Sequence, residues 1–315
     1  MPLPPLLEGR LSIPVIGAPM FIVSGPELVL AQCKAGVVGS FPALNARPAE
    51  QLDVWLTRIG RELEDFSAAN PDRPAAPFAV NQIVHASNDR LGEDMATCAR
   101  HRVPIVITSL RPPNEVVKAV HDWGGIVLHD VISVRHAEKA LEAGVDGLIL
   151  VCAGAGGHAG ALSPFALTQE VRTIFDGPIA LSGAIATGRA ALAAQVAGAD
   201  LAYVGTRFIA TKEANADPRY KQMLIDCAAD DVVYSSLFTG VRGNYLKPSI
   251  AAAGLDPDAL PEADKSRMDF GAAAKAWRDV WGAGQGLGAI GDAPSVAEIV
   301  ERMRAEYQTA RAALA

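Results

Sequence analysis

The chain has 315 residues, 50% of them hydrophobic, with 28 basic and 35 acidic residues that leave a formal charge of -7. That is enough apolar material for one large core or a core with a small appended domain, while the acidic balance and the lack of any lysine- or arginine-rich run exclude a phosphate-backbone binder. No apolar run is long enough to span a bilayer, and the opening Met1-Pro2-Leu3-Pro4-Pro5 lacks the basic and apolar regions of a leader, so a cytoplasmic protein is expected.

Along the chain, short apolar runs alternate with segments of helical periodicity, the pattern of repeated βα units. The predicted strands are Ile13 to Ala18, Gly36 to Phe41, Phe78 to Ile83, Ile105 to Leu110, Ile126 to Val131, Leu148 to Cys152, Ile179 to Ser182 and Leu201 to Gly205. Between them, a helix is expected from Gly25 to Lys34 after Ser24, and another from Ala49 to Leu63 with Leu52, Leu56, Ile59 and Leu63 on one stripe. A third, Val134 to Ala143, follows Ser133, and several helices end in a glycine, as in Ala35-Gly36-Val37, Ala143-Gly144-Val145 and Ala197-Gly198-Ala199. The pattern predicts a (β/α)8 TIM barrel over residues 1–210; an open doubly wound sheet shares the periodicity, because closure cannot be read from it. Beyond Phe208 the pattern breaks. Residues 211–287 show no strand-like repeat and are punctuated by Pro218, Pro248, Pro257 and Pro261 around short helical pieces such as Arg219 to Ala228, which predicts an inserted helical domain or excursion. Residues 288–315 close with a helix, Ala293 to Leu314, whose Val296, Ile299, Val300 and Met303 are spaced to pack back on the barrel, with Glu298 and Arg302 as an i,i+4 pair.

Barrels place their chemistry at the carboxyl ends of the strands, and polar or glycine-rich residues gather at those ends here: Gly17-Ala18-Pro19-Met20, Asn81-Gln82, His129-Asp130, Ser182-Gly183-Ala184 and Gly205-Thr206-Arg207. The sixth strand leads into Ala153-Gly154-Ala155-Gly156-Gly157-His158-Ala159-Gly160, a lone histidine in a glycine-dense turn. Glycine lets a backbone approach a planar ligand closely, and histidine exchanges protons near neutral pH; the plainer reading is a tight turn whose histidine caps a helix or bonds a carbonyl. Ser182-Gly183 and Gly205-Thr206 end the seventh and eighth strands, where barrels commonly build a phosphate site, although ordinary βα turns use the same residue types. Small Ala18, Gly156 and Gly157 would admit a flat ring system, with Asn81 offering an amide to its polar edge or else bridging neighbouring strands. That geometry suits flavin mononucleotide, FMN. Met20, Phe21 and, from the later segment, Tyr245 or Trp281 are candidate apolar walls or core residues, and Arg207 is assigned to its loop. Cys33, Cys98, Cys152 and Cys227 form no CxxC pair and predict neither a zinc site nor a disulfide framework. Cys152 reads as a small apolar filler, and His85, His129 and Asp130 match no metal motif.

As a set, Ala18-Pro19-Met20, Asn81, Gly156-Gly157-His158-x-Gly160, Ser182-Gly183, Gly205-Thr206-Arg207-Phe208, Ala210-Thr211-x-Glu213 and Ala283-Gly284-Gln285-Gly286 resemble the nitronate monooxygenases, over nearly the whole chain. The motifs are specific together and weak singly. The resemblance implies an FMN-containing barrel with an added helical domain that oxidises alkyl nitronates, propionate 3-nitronate among the candidates, with dioxygen to carbonyl compounds and nitrite. By that likeness Ser182, Gly183, Gly205 and Thr206 hold the flavin phosphate and Asn81 and Gly156 contact the flavin. Ala18, Met20, Gly157 and Ala184 complete the expected cofactor-binding set, and His158 is the active-site base or hydrogen-bond donor. The chain departs from some members, which place a lysine at the end of the fifth strand where Asp130 stands. An acid there disfavours a reduced flavin anion, so either Asp130 turns away or the redox tuning differs. Two rival functions use the same barrel: an FMN-dependent NAD(P)H reductase of enoyl thioesters or quinones, and a flavin-free phosphate-binding lyase or isomerase. The expected partners are a small nitronate and dioxygen, with a homodimer left open.

Overall fold

Strands buried on both faces read as continuous apolar runs, and these runs close into a cylinder. The structure is a computed structural model that describes residues 3–261 and 279–314. Its strands in chain order are β1 (Val15–Gly17), β2 (Gly39–Pro42), β3 (Phe78–Val84), β4 (Ile105–Leu110), β5 (Ile126–Val131), β6 (Gly147–Val151), β7 (Gly157–His158), β8 (Ile179–Ser182), β9 (Leu201–Val204), β10 (Val232–Ser235) and β11 (Gly243–Leu246). Eight of them form one sheet in the order β1-β9-β8-β6-β5-β4-β3-β2, with every pairing parallel. The two edge strands meet through a parallel bridge between Ile16 and Val38, where Gly17 N donates to Val38 O at 2.7 Å and Val38 N to Val15 O at 3.1 Å. The architecture is therefore the (β/α)8 barrel.

Two-residue alternation sorts the side chains. Ile16, Val38, Ala79, Ile107, Leu128, Ile149, Ala180 and Tyr203 fill the barrel, with Leu7 packed into the same cluster. Val15, Val80, Val106, Val127, Leu148, Leu181 and Ala202 face outward onto the helices. Those helices are α1 (Pro26–Ala35), α2 (Gln51–Ala69), α3 (Leu91–Arg100), α4 (Asn114–Asp122), α5 (Val134–Glu142), α6 (Pro164–Arg172) and α7 (Gly188–Val196). Ser133 caps α5 by accepting from His136 N at 3.3 Å, whereas α1 is capped by Gly25, and the Ser24 hydroxyl instead accepts from Met20 N at 2.9 Å.

After β9 come α8 (Thr206–Ile209), α9 (Pro218–Asp226), α10 (Lys247–Ala252) and α11 (Val296–Leu314). Within the expected helical domain or excursion over 211–287, the described residues hold strands as well as helices. Strands β10 and β11 form an antiparallel hairpin, and β11 also pairs with β7, Gly243 opposite His158 and Asn244 opposite Gly157. This sheet depends on pairing between distant segments, which local periodicity does not report. Residues 262–278 of the expected excursion lie outside the described residues. Helix α11 returns to pack on α1 and α7. The expected Glu298–Arg302 pair does not form: Arg302 makes two bonds to the Asp292 carboxylate, at 3.0 and 2.8 Å, while Glu298 accepts from Ser295 N at 2.8 Å.

Candidate functional site

A cavity of about 750 Å³ opens at the carboxyl ends of the barrel strands. Its lining includes Ala18, Met20, Asn81, Gly156, Gly157, His158, Ser182, Gly183, Ala184, Gly205 and Thr206, so the residues singled out in the sequence surround one space. Phe21 and Trp281 line it too. Tyr245 does not: it is fully buried in a cluster with Ile250 and Val280, a core residue rather than a wall.

The floor follows from the strand alternation. One step above inward-facing Ala79, Ile107, Leu128 and Ala180 stand Asn81, Ser109, Asp130 and Ser182, which place a polar ring on an apolar core. The Asn81 amide nitrogen donates to Ser109 Oγ at 3.0 Å and to Ile107 O at 3.3 Å, and Ser109 Oγ donates to Asp130 Oδ2 at 2.7 Å. Asn81 thus bridges two strands at the cavity floor. Asp130 does not turn away from the cavity. Burial pushes its carboxyl up to about 7 against the opposing Ser109 hydrogen bond, and its Oδ1 is buried with no hydrogen-bond partner. The Tyr203 phenol is held protonated by its own burial and by the Asp130 charge. His129, one residue earlier, lies on the opposite face of β5 with Nδ1 2.7 Å from Thr108 Oγ1, and burial pulls it down to about 4.

The glycine turn serves the protein's own backbone. A Cβ on Gly156 would lie 2.7 Å from Gly284 N and 2.9 Å from Ala283 C, and one on Gly183 would lie 2.7 Å from Ala153 O. At these positions the missing Cβ admits a neighbouring chain segment, while Gly156 and Gly183 also line the cavity. Gly284 N donates to Thr206 Oγ1 at 2.9 Å, Gln285 N to Gly154 O at 2.9 Å and Ala184 N to Gly154 O at 3.2 Å, so the turns after β6, β8 and β9 are knitted together. Ala184 holds a left-handed φ of 55° within this knot. The Thr206 hydroxyl keeps its own proton to donate, and the Ser182 hydroxyl makes no hydrogen bond among the described residues, which leaves two donors beside each other's turns for an anionic group.

Half-buried His158 is positioned by the β7–β11 pairing. Its Nε2 is 2.8 Å from Thr239 Oγ1, which is also 3.0 Å from Val241 O, and the single Thr239 proton goes to one of the two. Loss of hydration pulls the imidazole down to about 4, so it is neutral at neutral pH. Arg207 is turned away from the cavity's chemistry and bonds Asp292 O at 3.1 Å and Oδ1 at 3.2 Å. Ser109, Tyr203 and Thr239 were not singled out in the sequence; alternation from Ile107 and Leu201 marks the first two as inward-facing, whereas nothing local marks Thr239.

A family model described as nitronate monooxygenase matches residues 6–306. The chain belongs to the nitronate monooxygenase family. It is accordingly an oxidoreductase, in a family that depends on flavin. It is 27% identical to a nitronate monooxygenase from Paraburkholderia phytofirmans, over 94% of this chain and 92% of that one. In fold it is similar to FabK from Thermotoga maritima, with a TM-score of 0.81 at 23% identity over 98% of this chain and 96% of that one. It is likewise similar to a nitroalkane oxidase from Streptomyces ansochromogenes, with a TM-score of 0.78 at 24% identity over 96% and 98% of the two chains. Among the described residues, no helix of this family member is long and apolar enough to cross a membrane.

Proposed function

We propose that this family member is an FMN-dependent nitronate monooxygenase that oxidises alkyl nitronates with dioxygen to carbonyl compounds and nitrite. The observation that carries the reading is the convergence of distant turns, after β1, β3, β6, β8 and β9, on one cavity. The residues fit FMN: the free Ser182 hydroxyl and the Thr206 hydroxyl proton, with the Gly183-Ala184 and Gly205 turns, are suited to a phosphate. Ala18, Met20, Asn81, Gly156 and Gly157 would border the ring system. When bound, FMN supplies the electron acceptance and the oxygen chemistry.

The chain's own residues bind, orient and keep the substrate dry. A nitronate is already an anion, so it asks for a hydrogen-bond donor rather than a base. In this reading the neutral imidazole of His158, on the cavity wall, supplies that donor. Met20, Phe21, Ile209 and Trp281 exclude water from the wall. The described part of residues 211–287 acts in this reading as a cap joined to the barrel through the β7–β11 pairing.

Aerobic turnover of ethyl nitronate and propionate 3-nitronate, with nitrite and oxygen measured beside an NADH-oxidation control, tests the proposal. Nitrite formed with oxygen consumption and no need for NADH is the expected result. NADH bleaching of the flavin without nitrite release would put the protein among the reductases, and a folded protein that takes up no FMN would end both flavin readings.

A further inference from the structure

The cavity mouth has two unlike halves. Around the closed sheet β1 to β5 are consecutive neighbours, and β6, β8 and β9 complete the ring. The turns after β6, β8 and β9 line the cavity mainly with glycine, alanine and the Ser182 and Thr206 hydroxyls, and they include the turns proposed for the FMN phosphate. The other rim is apolar. Ile22, Leu110 and Ile132, at or just beyond the ends of β1, β4 and β5, line the cavity and remain 41%, 39% and 41% exposed, which suits a hydrocarbon chain.

One charge stands in this rim. Arg47, after β2, is the only lysine or arginine in the lining among the described residues. Neither carboxyl of the lining pairs with it: Asp217 is bridged to Arg219 at 2.7 Å, and Asp130 accepts from Ser109 at 2.7 Å. The guanidinium is nevertheless held in place. Its Nε donates to Leu44 O at 3.0 Å, and Cζ lies 5.4 Å from the centre of the Phe21 ring. The two terminal nitrogens make no hydrogen bond or ion pair among the described residues. The backbone beneath is fixed as well. Arg90 donates to Ala46 O at 2.8 Å, and the Asn45 amide grips the loop that carries Phe21, accepting from Ile22 N at 2.9 Å and donating to Met20 O at 3.0 Å and Ser24 O at 2.8 Å. That grip keeps Ile22 at a φ of 67°, a left-handed conformation that a β-branched residue holds only where its surroundings over-determine it. A planar fork anchored on an aromatic face, with both terminal nitrogens presented, matches the two oxygens of a carboxylate.

We infer that the substrate of this cavity is a nitronate whose carbon chain ends in a carboxylate, and that Arg47, set on Phe21, is the residue that selects it. The chain between the two anionic ends lies along the apolar rim. This inference rests on the nitronate reading and adds to it a second charged group on the substrate, of which propionate 3-nitronate is a short example.

The test measures kcat/KM of the FMN-loaded enzyme for propionate 3-nitronate, for its methyl ester and for ethyl nitronate. Wild type is compared with Arg47→Met, which keeps an apolar stem without the charge, and with Arg47→Lys, which keeps the charge without the fork. Wild type should prefer the carboxylate to its ester about tenfold, the size expected of a two-point contact at an exposed site, and the preference should shrink as salt is raised. Arg47→Met should lower turnover of propionate 3-nitronate about tenfold more than that of ethyl nitronate, and Arg47→Lys should recover only part of the difference. Calorimetric titration gives a readout without turnover: succinate should bind wild type more tightly than its monomethyl ester does, and Arg47→Met should bind the two alike. Equal losses for propionate 3-nitronate and ethyl nitronate in Arg47→Met would mean that Arg47 meets the nitronate group common to both, and would overturn the assignment. Full recovery by Arg47→Lys, or a wild type that does not distinguish the carboxylate from its ester, overturns it too. A wild type that oxidises none of the three compounds overturns the nitronate reading itself, and this inference with it.

Discussion

His158 and His129 are both pulled to about 4, yet His129 is buried and His158 half-buried, and they stand in different environments. His129 is sealed against Thr108, whereas His158 borders the cavity and meets Thr239 from the capping segment. In the proposed reading, a neutral imidazole in that position acts through a hydrogen bond to charge that is already present on the substrate. His158→Asn is therefore expected to leave FMN bound, since no phosphate-facing residue changes, and to lower kcat/KM for nitronates by about 10- to 100-fold, the equivalent of about 1.5–3 kcal/mol for a bond to a charged group. Gel filtration with the flavin absorbance followed, and steady-state rates of nitrite formation, check the two parts; unaltered rates would make His158 a structural residue. The histidine was legible because it stands alone among glycines, and Asn81 and Ser182 because they end apolar runs. Thr239 was not, because its approach to His158 depends on a strand pairing that brings distant segments together.

Strands and helices were legible wherever burial imposes a period. The barrel strands appear as apolar runs because both of their faces are covered, and α11 appears through Val296, Ile299, Val300 and Met303 on one stripe. Strand β7 was invisible, being two residues inside a glycine turn. The predicted Glu298–Arg302 pair failed for a related reason: the Asp292 carboxylate offers Arg302 two-point recognition, stronger than a single contact along an exposed helix face. Where α11 lands was equally hidden. Gly188 opens α7 and donates its N–H to Glu306 Oε2 at 2.7 Å, and a Cβ there would lie 1.7 Å from Met303 O. The obstructing atom is helix backbone, so one of the two helices must shift. Gly188→Ala is expected to cost about 3 kcal/mol, the upper part of the range for overpacking, and to lower Tm by several degrees in a thermal scan. An unchanged Tm would mean that α11 does not seat on α7.

Closing the cylinder seals ionisable groups inside and outside it, and their effects on the stability of the whole molecule run in opposite directions with pH. His129 is 3% exposed and has a pKa of about 4 in the folded protein. Between its ordinary value of 6.5 and about 4, the unfolded chain takes up a proton that the native protein refuses. Its contribution is thus complete above that ordinary value and is lost as pH falls toward 4, a span worth about 3 kcal/mol. Asp130 keeps its proton in the native protein up to about 7, whereas the unfolded carboxyl gives it up near 3.8, so this group weakens the fold as pH rises across that interval. Over the shared part of the two windows the slopes oppose each other, and the wild-type stability should vary little there on their account. Single substitutions separate them. Relative to wild type, the gain in unfolding free energy from about pH 5 to about pH 8, measured by urea titration, should become larger in Asp130→Asn and smaller in His129→Gln. The opposite signs matter more than the sizes, because a general loss of packing in either variant would lower stability at both pH values and leave the difference unchanged. If both variants moved that difference in the same direction, the buried carboxyl at the mouth would not be carrying the native-state proton assigned to it.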